Sequence, residues 1–257
     1  MGRYNFDKIV DRKHTKSLKY DFAVQRGKPA DVLPFWVADM DFEIPSELKQ
    51  VLLDRVNHGI FGYTESDDAY FNVLKEWFGS RFNWNIDKKW LVKTPGVVFA
   101  LAMAVRAFTK EGEGVLINQP VYYPFSMVID DNDRNLINVP LIQGADTYTI
   151  DFEGVERAIV EHNVTLFLLC NPHNPVGRVW TEDELKRLGD ICIKHNVIII
   201  SDEIHADFVW DGHKHTVFAN LGESYAEHCI VCTAPSKSFN IAGLQVSNIF
   251  IPNDSLR

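Results

Sequence analysis

The sequence predicts a three-layer α/β/α fold built around a mostly parallel sheet. Short, almost continuously apolar runs such as VTLFLLC, VIIIS and CIVCT alternate along the chain with amphipathic helical stretches such as FEGVERAIVEHN and TEDELKRLGDICIKHN. A strand that is apolar on nearly every residue must be covered on both faces, which is how sheets with helical crossovers are built. The 257 residues, 46% of them hydrophobic, suffice to bury a core of that size.

Residues 1–45 carry no sustained periodicity and read as an N-terminal arm with part of a smaller domain; residues 46–257 read as one large domain. SELKQVLLDRVNHG has apolar spacings of three and four, a serine at its start and a glycine at its end, the marks of a helix capped by Ser46. After the loop IFGYTES, DDAYFNVLKEWFGSRF forms a second amphipathic helix, WLVKT a short strand, and PGVVFALAMAVRAF a buried helix beginning just after Gly96. Then come GVLIN, the YPFSMVIDD helix, LINVPL, the FEGVERAIVEHN helix, VTLFLLC, a helix opened by a capping box of Thr181 with Glu184, VIIIS, CIVCT and a last strand in LQVSNIFIPN. A domain of this kind normally continues into further helices, so the stop at Arg257 leads us to expect that a C-terminal small domain is absent from this sequence.

Composition excludes several function classes. A net charge of -9, with basic residues scattered, offers no face for a nucleic-acid backbone. No apolar run approaches the roughly 20 residues of a membrane span, and the N-terminus is polar rather than signal-like, which places the protein in the cytoplasm. The four cysteines do not make a disulfide framework and read as reduced, buried thiols. Cys229 and Cys232 spell CxxC, but in a strand residues three apart point to opposite faces. His213 and His215 are expected in an exposed turn and lack the partners of a metal site, so no metal is assigned. GEGVLIN and GRVW lack the glycine spacing of a dinucleotide fingerprint.

In open parallel sheets ligands sit outside the carboxyl ends of the strands. Four polar segments fall there: Pro95-Gly96-Val97-Val98 at a helix start, NPHNPVGR after VTLFLLC, Asp202-Glu203-Ile204-His205 after VIIIS, and Ala234-Pro235-Ser236-Lys237 after CIVCT. Each alone is compatible with an ordinary loop. Together they offer a glycine before a helix N-terminus plus Ser236, which suits an anion. They also offer a carboxylate, Asp202, able to keep a pyridine nitrogen protonated, and a lysine, Lys237, able to form an imine and move protons.

With NPHNPVGR, SDEIH and SKSFNIAGLQ in this order and spacing, the chain resembles the fold-type I pyridoxal-5'-phosphate enzymes of the class I and II aminotransferase superfamily over essentially its whole length. WVADMDF, FGYTES, TPGVVFAL and SDEIHADFVW look more closely like the cystathionine beta-lyase branch typified by the MalY and PatB proteins. The resemblance implies that residues 46–257 form the cofactor-binding domain, that Lys237 carries pyridoxal phosphate as a Schiff base and that Asp202 partners the ring nitrogen. By the same resemblance Asn174 bonds the phenolic oxygen, with His205 within reach of it. Tyr122 stacks on the ring, with Tyr123 the less favoured neighbour, and Gly96, Val97, Val98 and Ser236 hold the phosphate. Tyr63 reaches the phosphate of the other subunit, which implies a homodimer, and Asp39, Met40 and Tyr63 shape the substrate side.

Two positions depart from the aminotransferase pattern. His205 stands where that superfamily usually has tyrosine, and Gln245 where it has arginine, which removes a positive charge from the phosphate seat. Both favour the lyase branch, hence a carbon-sulfur beta-lyase releasing pyruvate, ammonia and a thiol from sulfur amino acids. An aminotransferase is the second reading, and a regulatory binding protein a third. The family's arginine for the substrate carboxylate lies in a C-terminal segment and has no equivalent before Arg257.

Overall fold

The apolar runs become the interior of a seven-stranded sheet in the computed structural model, which describes residues 4–257. In chain order the elements are α1 (Leu18–Asp21), α2 (Ser46–His58), α3 (Asp68–Phe82), β1 (Leu91–Thr94), α4 (Val97–Phe108), β2 (Gly114–Ile117), α5 (Pro124–Asp130) and β3 (Asn135–Asn138). They continue with β4 (Ile142–Gln143), β5 (Tyr148–Thr149), α6 (Phe152–His162), β6 (Leu166–Cys170), α7 (Glu182–Lys194), β7 (Ile198–Asp202), α8 (Glu223–Ala226), β8 (Cys229–Thr233) and β9 (Ser247–Phe250). The main sheet runs β1-β9-β8-β7-β6-β2-β3. All neighbours are parallel except β9, which lies antiparallel to both β1 and β8.

The two-residue period of a strand divides the core into two layers. In β6, Leu166, Leu168 and Cys170 join α4 and α5 on one face, while Phe167 and Leu169 join α3, α6 and α7 on the other. Cys229 and Cys232 of β8 fall on opposite faces, and all four thiols are buried and unpaired. The three-layer prediction holds.

Local chemistry sets the helix ends. The capping box of α7 forms, with Thr181 accepting from the Glu184 amide at 3.2 Å and the Glu184 carboxylate accepting from the Thr181 amide at 2.8 Å. The expectation for α2 needs correction: Pro45 is the cap residue and Ser46 the first helical residue, its hydroxyl donating to Glu47 at 3.1 Å. Proline suits such a start because it has no amide hydrogen to leave unpaired. The helix does end at Gly59, in the left-handed region at φ 77°. The β4–β5 hairpin had no signature, since two-residue strands are too short to show a period. Among the described residues no helix is long and apolar enough to cross a membrane.

Candidate active site

Strand register brings the predicted segments together. Asp202, the last residue of β7, lies between Cys170 of β6 and Cys232 of β8. The turns after these three strands therefore start side by side, carrying Asn174, His205 and Lys237. Thr94 at the end of β1 pairs with Ser247, and Thr233 at the end of β8 pairs with Asn248. The Gly96 turn and the Ser236 turn thus leave the sheet from neighbouring positions across β9.

The Gly96 turn is built for close approach. Ser247 Oγ sits 2.6 Å from Thr94 Oγ and accepts from the Gly96 amide at 3.2 Å, fixing the backbone just before α4. Gly96 has φ 106°, a conformation that costs a side-chain-bearing residue strain. At the mouth of α4 the amides of Val97 and Val98 have no acceptor among the described residues, as expected of first-turn donors that an anion could satisfy. Ser236, in the turn after β8, has a hydroxyl that is unpaired among the described residues.

Asp202 is only 4% exposed, and among the described residues no cation lies within ion-pair distance of it. One hydrogen bond to its side chain is seen, from the Ile204 amide at 3.1 Å. Burial pushes its carboxyl up to about 7, with the negative charge of Glu203 adding to the effect. A buried carboxylate that lacks a cation is what the protonated nitrogen of a pyridine ring would complete, so the residues fit that group. Lys237 is half-buried, and burial lowers its pKa below that of an ordinary lysine, favouring the nucleophilic free amine. Its Nζ donates to the Ala38 carbonyl at 2.9 Å.

Tyr122 is half-buried and feels the charge of Asp202 after the larger effect of burial raises its pKa, whereas Tyr123 is 60% exposed. Tyr122 is therefore the more buried of the two rings, and its pKa responds to Asp202. His205 is pushed down to about 4 by burial and by the charge of Lys237, so it stands neutral in ordinary buffers. Asn174 anchors its turn through an amide to Cys170 Sγ contact at 3.3 Å, leaving its carboxamide unpaired among the described residues.

Other predicted residues lie apart from this cluster. Tyr63 is fully exposed at 111% and meets none of it within the chain. Gln245 closes a short helical turn in the left-handed region and is exposed. Asp39 has both carboxylate oxygens on the Arg12 guanidinium, at 2.9 and 2.8 Å, and Met40 is bracketed by Asn240. The carbonyl of Ala38, just before them, is the group that meets Lys237.

Sequence reasoning missed or misread three features. His215 is 3% exposed, not in an exposed turn, because Nε2 meets the buried Glu203 carboxylate at 2.9 Å. Glu203 also accepts from Ser201 Oγ at 2.8 Å and the Phe218 amide at 2.9 Å. His173 bonds the Pro120 carbonyl at 2.9 Å and so joins the turn of Asn174 to that of Tyr122. The HxxF spacing from His215 to the buried Phe218 was the only hint that this loop turns inward. No group of side chains suited to a metal is found among the described residues.

The family model for aminotransferase class I and II matches residues 30–257. The chain belongs to the class I and II aminotransferase family. This family member is 45% identical over 249 residues to the cystathionine beta-lyase PatB of Bacillus subtilis (strain 168), covering 97% of this chain and 64% of the relative. Among solved structures it is similar to cystalysin from Treponema denticola, which contains a pyridoxal 5'-phosphate cofactor, with TM-score 0.93, 42% identity and coverage of 98% and 65%. It is similar, too, to the PLP-bound C-S lyase from Staphylococcus hominis, with TM-score 0.93, 37% identity and coverage of 99% and 65%. The chain thus spans about two thirds or slightly less of the length of these relatives, 64% to 65%.

Proposed function

We propose that this chain is the cofactor-binding portion of a pyridoxal-phosphate-dependent carbon-sulfur beta-lyase acting on cystathionine or cysteine-like amino acids. The observation that carries the reading is Asp202, a buried carboxylate with no cation of its own, beside an amine, Lys237, whose proton is loosely held. When bound, pyridoxal phosphate supplies an aldehyde for an amine and an electron sink for the pair left when an amino acid loses its α-proton.

In this proposal Lys237 would hold the cofactor and, with substrate bound, its Nζ would take the α-proton. The same Nζ could return that proton to the departing thiolate sulfur; with one water from solvent hydrolysing the three-carbon remainder, the products would be a thiol, pyruvate and ammonia. Asp202 holds positive charge at the ring nitrogen. Tyr122 would cover a ring face, Asn174 and the neutral His205 would donate toward the phenolic oxygen, and Val97, Val98 and Ser236 would offer donors to the phosphate behind the Gly96 turn. Asp39 and Met40 shape the substrate side through the backbone that Arg12 and Asn240 hold.

Tyr63 is fully exposed, and Val51 and Val56 of α2 are exposed too, which supports a homodimer in which Tyr63 of the partner subunit completes the phosphate seat. Four buried free thiols support a reducing compartment such as the cytoplasm. Pyruvate released continuously from L-cystathionine with no keto acid present is the expected result. A single stoichiometric round that resumes only when a keto acid is added would establish the aminotransferase instead.

A further inference from the structure

The turn that touches Lys237 is strained and held from outside the site. Val37 has φ 59°, an outlier for a β-branched residue, and its carbonyl accepts from the Asp39 amide at 2.9 Å, so the chain doubles back within three residues. The carbonyl exposed at the tip of that turn, Ala38 O, is the acceptor for Lys237 Nζ. Such a conformation persists only where its surroundings impose it.

Two cations of the N-terminal arm hold the residues that follow it. Arg12 grips Asp39 with two parallel bonds and also reaches Asp41 at 2.7 Å, the Met40 carbonyl at 3.3 Å and Ser17 Oγ at 3.2 Å. The buried Lys19 ammonium donates to the Asp39 carbonyl at 3.2 Å and to Asp41 at 3.1 Å. Asp21 locks the segment carrying both by accepting from the amides of His14, Thr15 and Ser17 at 2.8, 3.0 and 3.0 Å. From the other side Asn240, three residues after Lys237, accepts from the Met40 amide at 2.9 Å and donates to the Met40 carbonyl at 3.0 Å. Burial pushes Asp39 and Asp41 up, yet the bonds and charge of Arg12 outweigh it and hold both carboxyls below the usual range.

We propose that Arg12 and Lys19 are positioning residues for Lys237: through the Val37–Met40 turn they fix where its amine sits and how much negative charge it faces. Among the described residues the groups whose charge acts on that amine are Asp39 from this turn and Asp202 from β7, with His205 close by. Arg12 and Lys19 both pair with the first of these and offset part of its charge. Removing either cation leaves Asp39 less well offset, which stabilises the ammonium form; removing the carboxylate does the reverse.

The inference rests on the reading of Lys237 as the cofactor lysine, but its test needs no cofactor. Competitive acylation of the cofactor-free chain, followed at the peptide containing Lys237 from pH 7 to 10, reads the fraction of free amine directly. Arg12→Ala should slow labelling at pH 8 about threefold and Asp39→Asn should speed it by about the same factor, the change expected for roughly 0.5 pKa unit at a partly exposed site. Arg12→Lys should stay close to wild type. Opposite shifts from the two substitutions support the proposal, since simple loosening moves both the same way; equal shifts or none overturn it. If Arg12→Ala fails to fold, Lys19→Met carries the same expectation. A failed Schiff base at Lys237 with intact opposite shifts would discard the functional reading and keep this one.

Discussion

Replacing Asp202 by asparagine should make the cofactor-free protein more stable and its cofactor binding worse, because one buried charge causes both effects. The carboxyl lies at 3.8 in its ordinary state and at about 7 in the fold, raised chiefly by burial. Between those values the folded state binds the extra proton, so stability falls as pH rises and the penalty is complete above pH 7. The difference of 7 - 3.8 is about 3 units, or about 4 kcal/mol at pH 8, of which about 3 kcal/mol develops between pH 5 and pH 8. Asparagine carries no such charge and should escape the penalty. Urea unfolding of wild type and Asp202→Asn at pH 5, 6, 7 and 8, without cofactor, gives the two profiles. Wild type should lose stability relative to the variant across that range, while added pyridoxal phosphate should raise the wild-type midpoint at pH 8 far more than the variant's. Parallel profiles, or a variant less stable than wild type at pH 8, would refute the claim that Asp202 waits uncompensated for a cation.

Other outcomes follow from the same geometry. Gly96→Ala puts a side chain at φ 106° where nothing within 4 Å obstructs it, so its cost is backbone strain alone, about 1–2 kcal/mol in thermal unfolding, with weakened binding of inorganic phosphate. Thr181→Ala removes half of the α7 capping box and should cost about 1 kcal/mol in urea. Glu203→Gln turns an acceptor of three bonds into a group with two donors facing Ser201, Phe218 and His215; it should cost about 2–3 kcal/mol, and an unchanged melting curve would exclude the buried network.

The parts of the fold that local chemistry dictates were legible. VTLFLLC, VIIIS and CIVCT had to be interior strands because no solvent-facing position interrupts them, and Thr181 with Glu184 marked α7. The reversal of β9 left no such mark, because an apolar strand looks alike in either direction. The site was legible where a strand end determines the position, as for Asp202 and Lys237, whose segments meet through register. It was not legible where a distant partner decides. His215 is drawn inside by Glu203, and nothing in DGHKH announces that. Val37 lies in the left-handed region, and the residues after it are held by Arg12 and Lys19, separated from it by an arm without periodicity. Asp39 was expected on the substrate side, and the Arg12 fork that occupies its carboxylate could not be seen from spacing.

The central claim is that Lys237 takes the cofactor. Incubating the purified protein with pyridoxal phosphate, reducing with borohydride and mapping the modified peptide tests it directly. One modified lysine, Lys237, with the label lost in Lys237→Ala, is the predicted result. Label spread over surface lysines, or retained elsewhere in Lys237→Ala, would contradict the account.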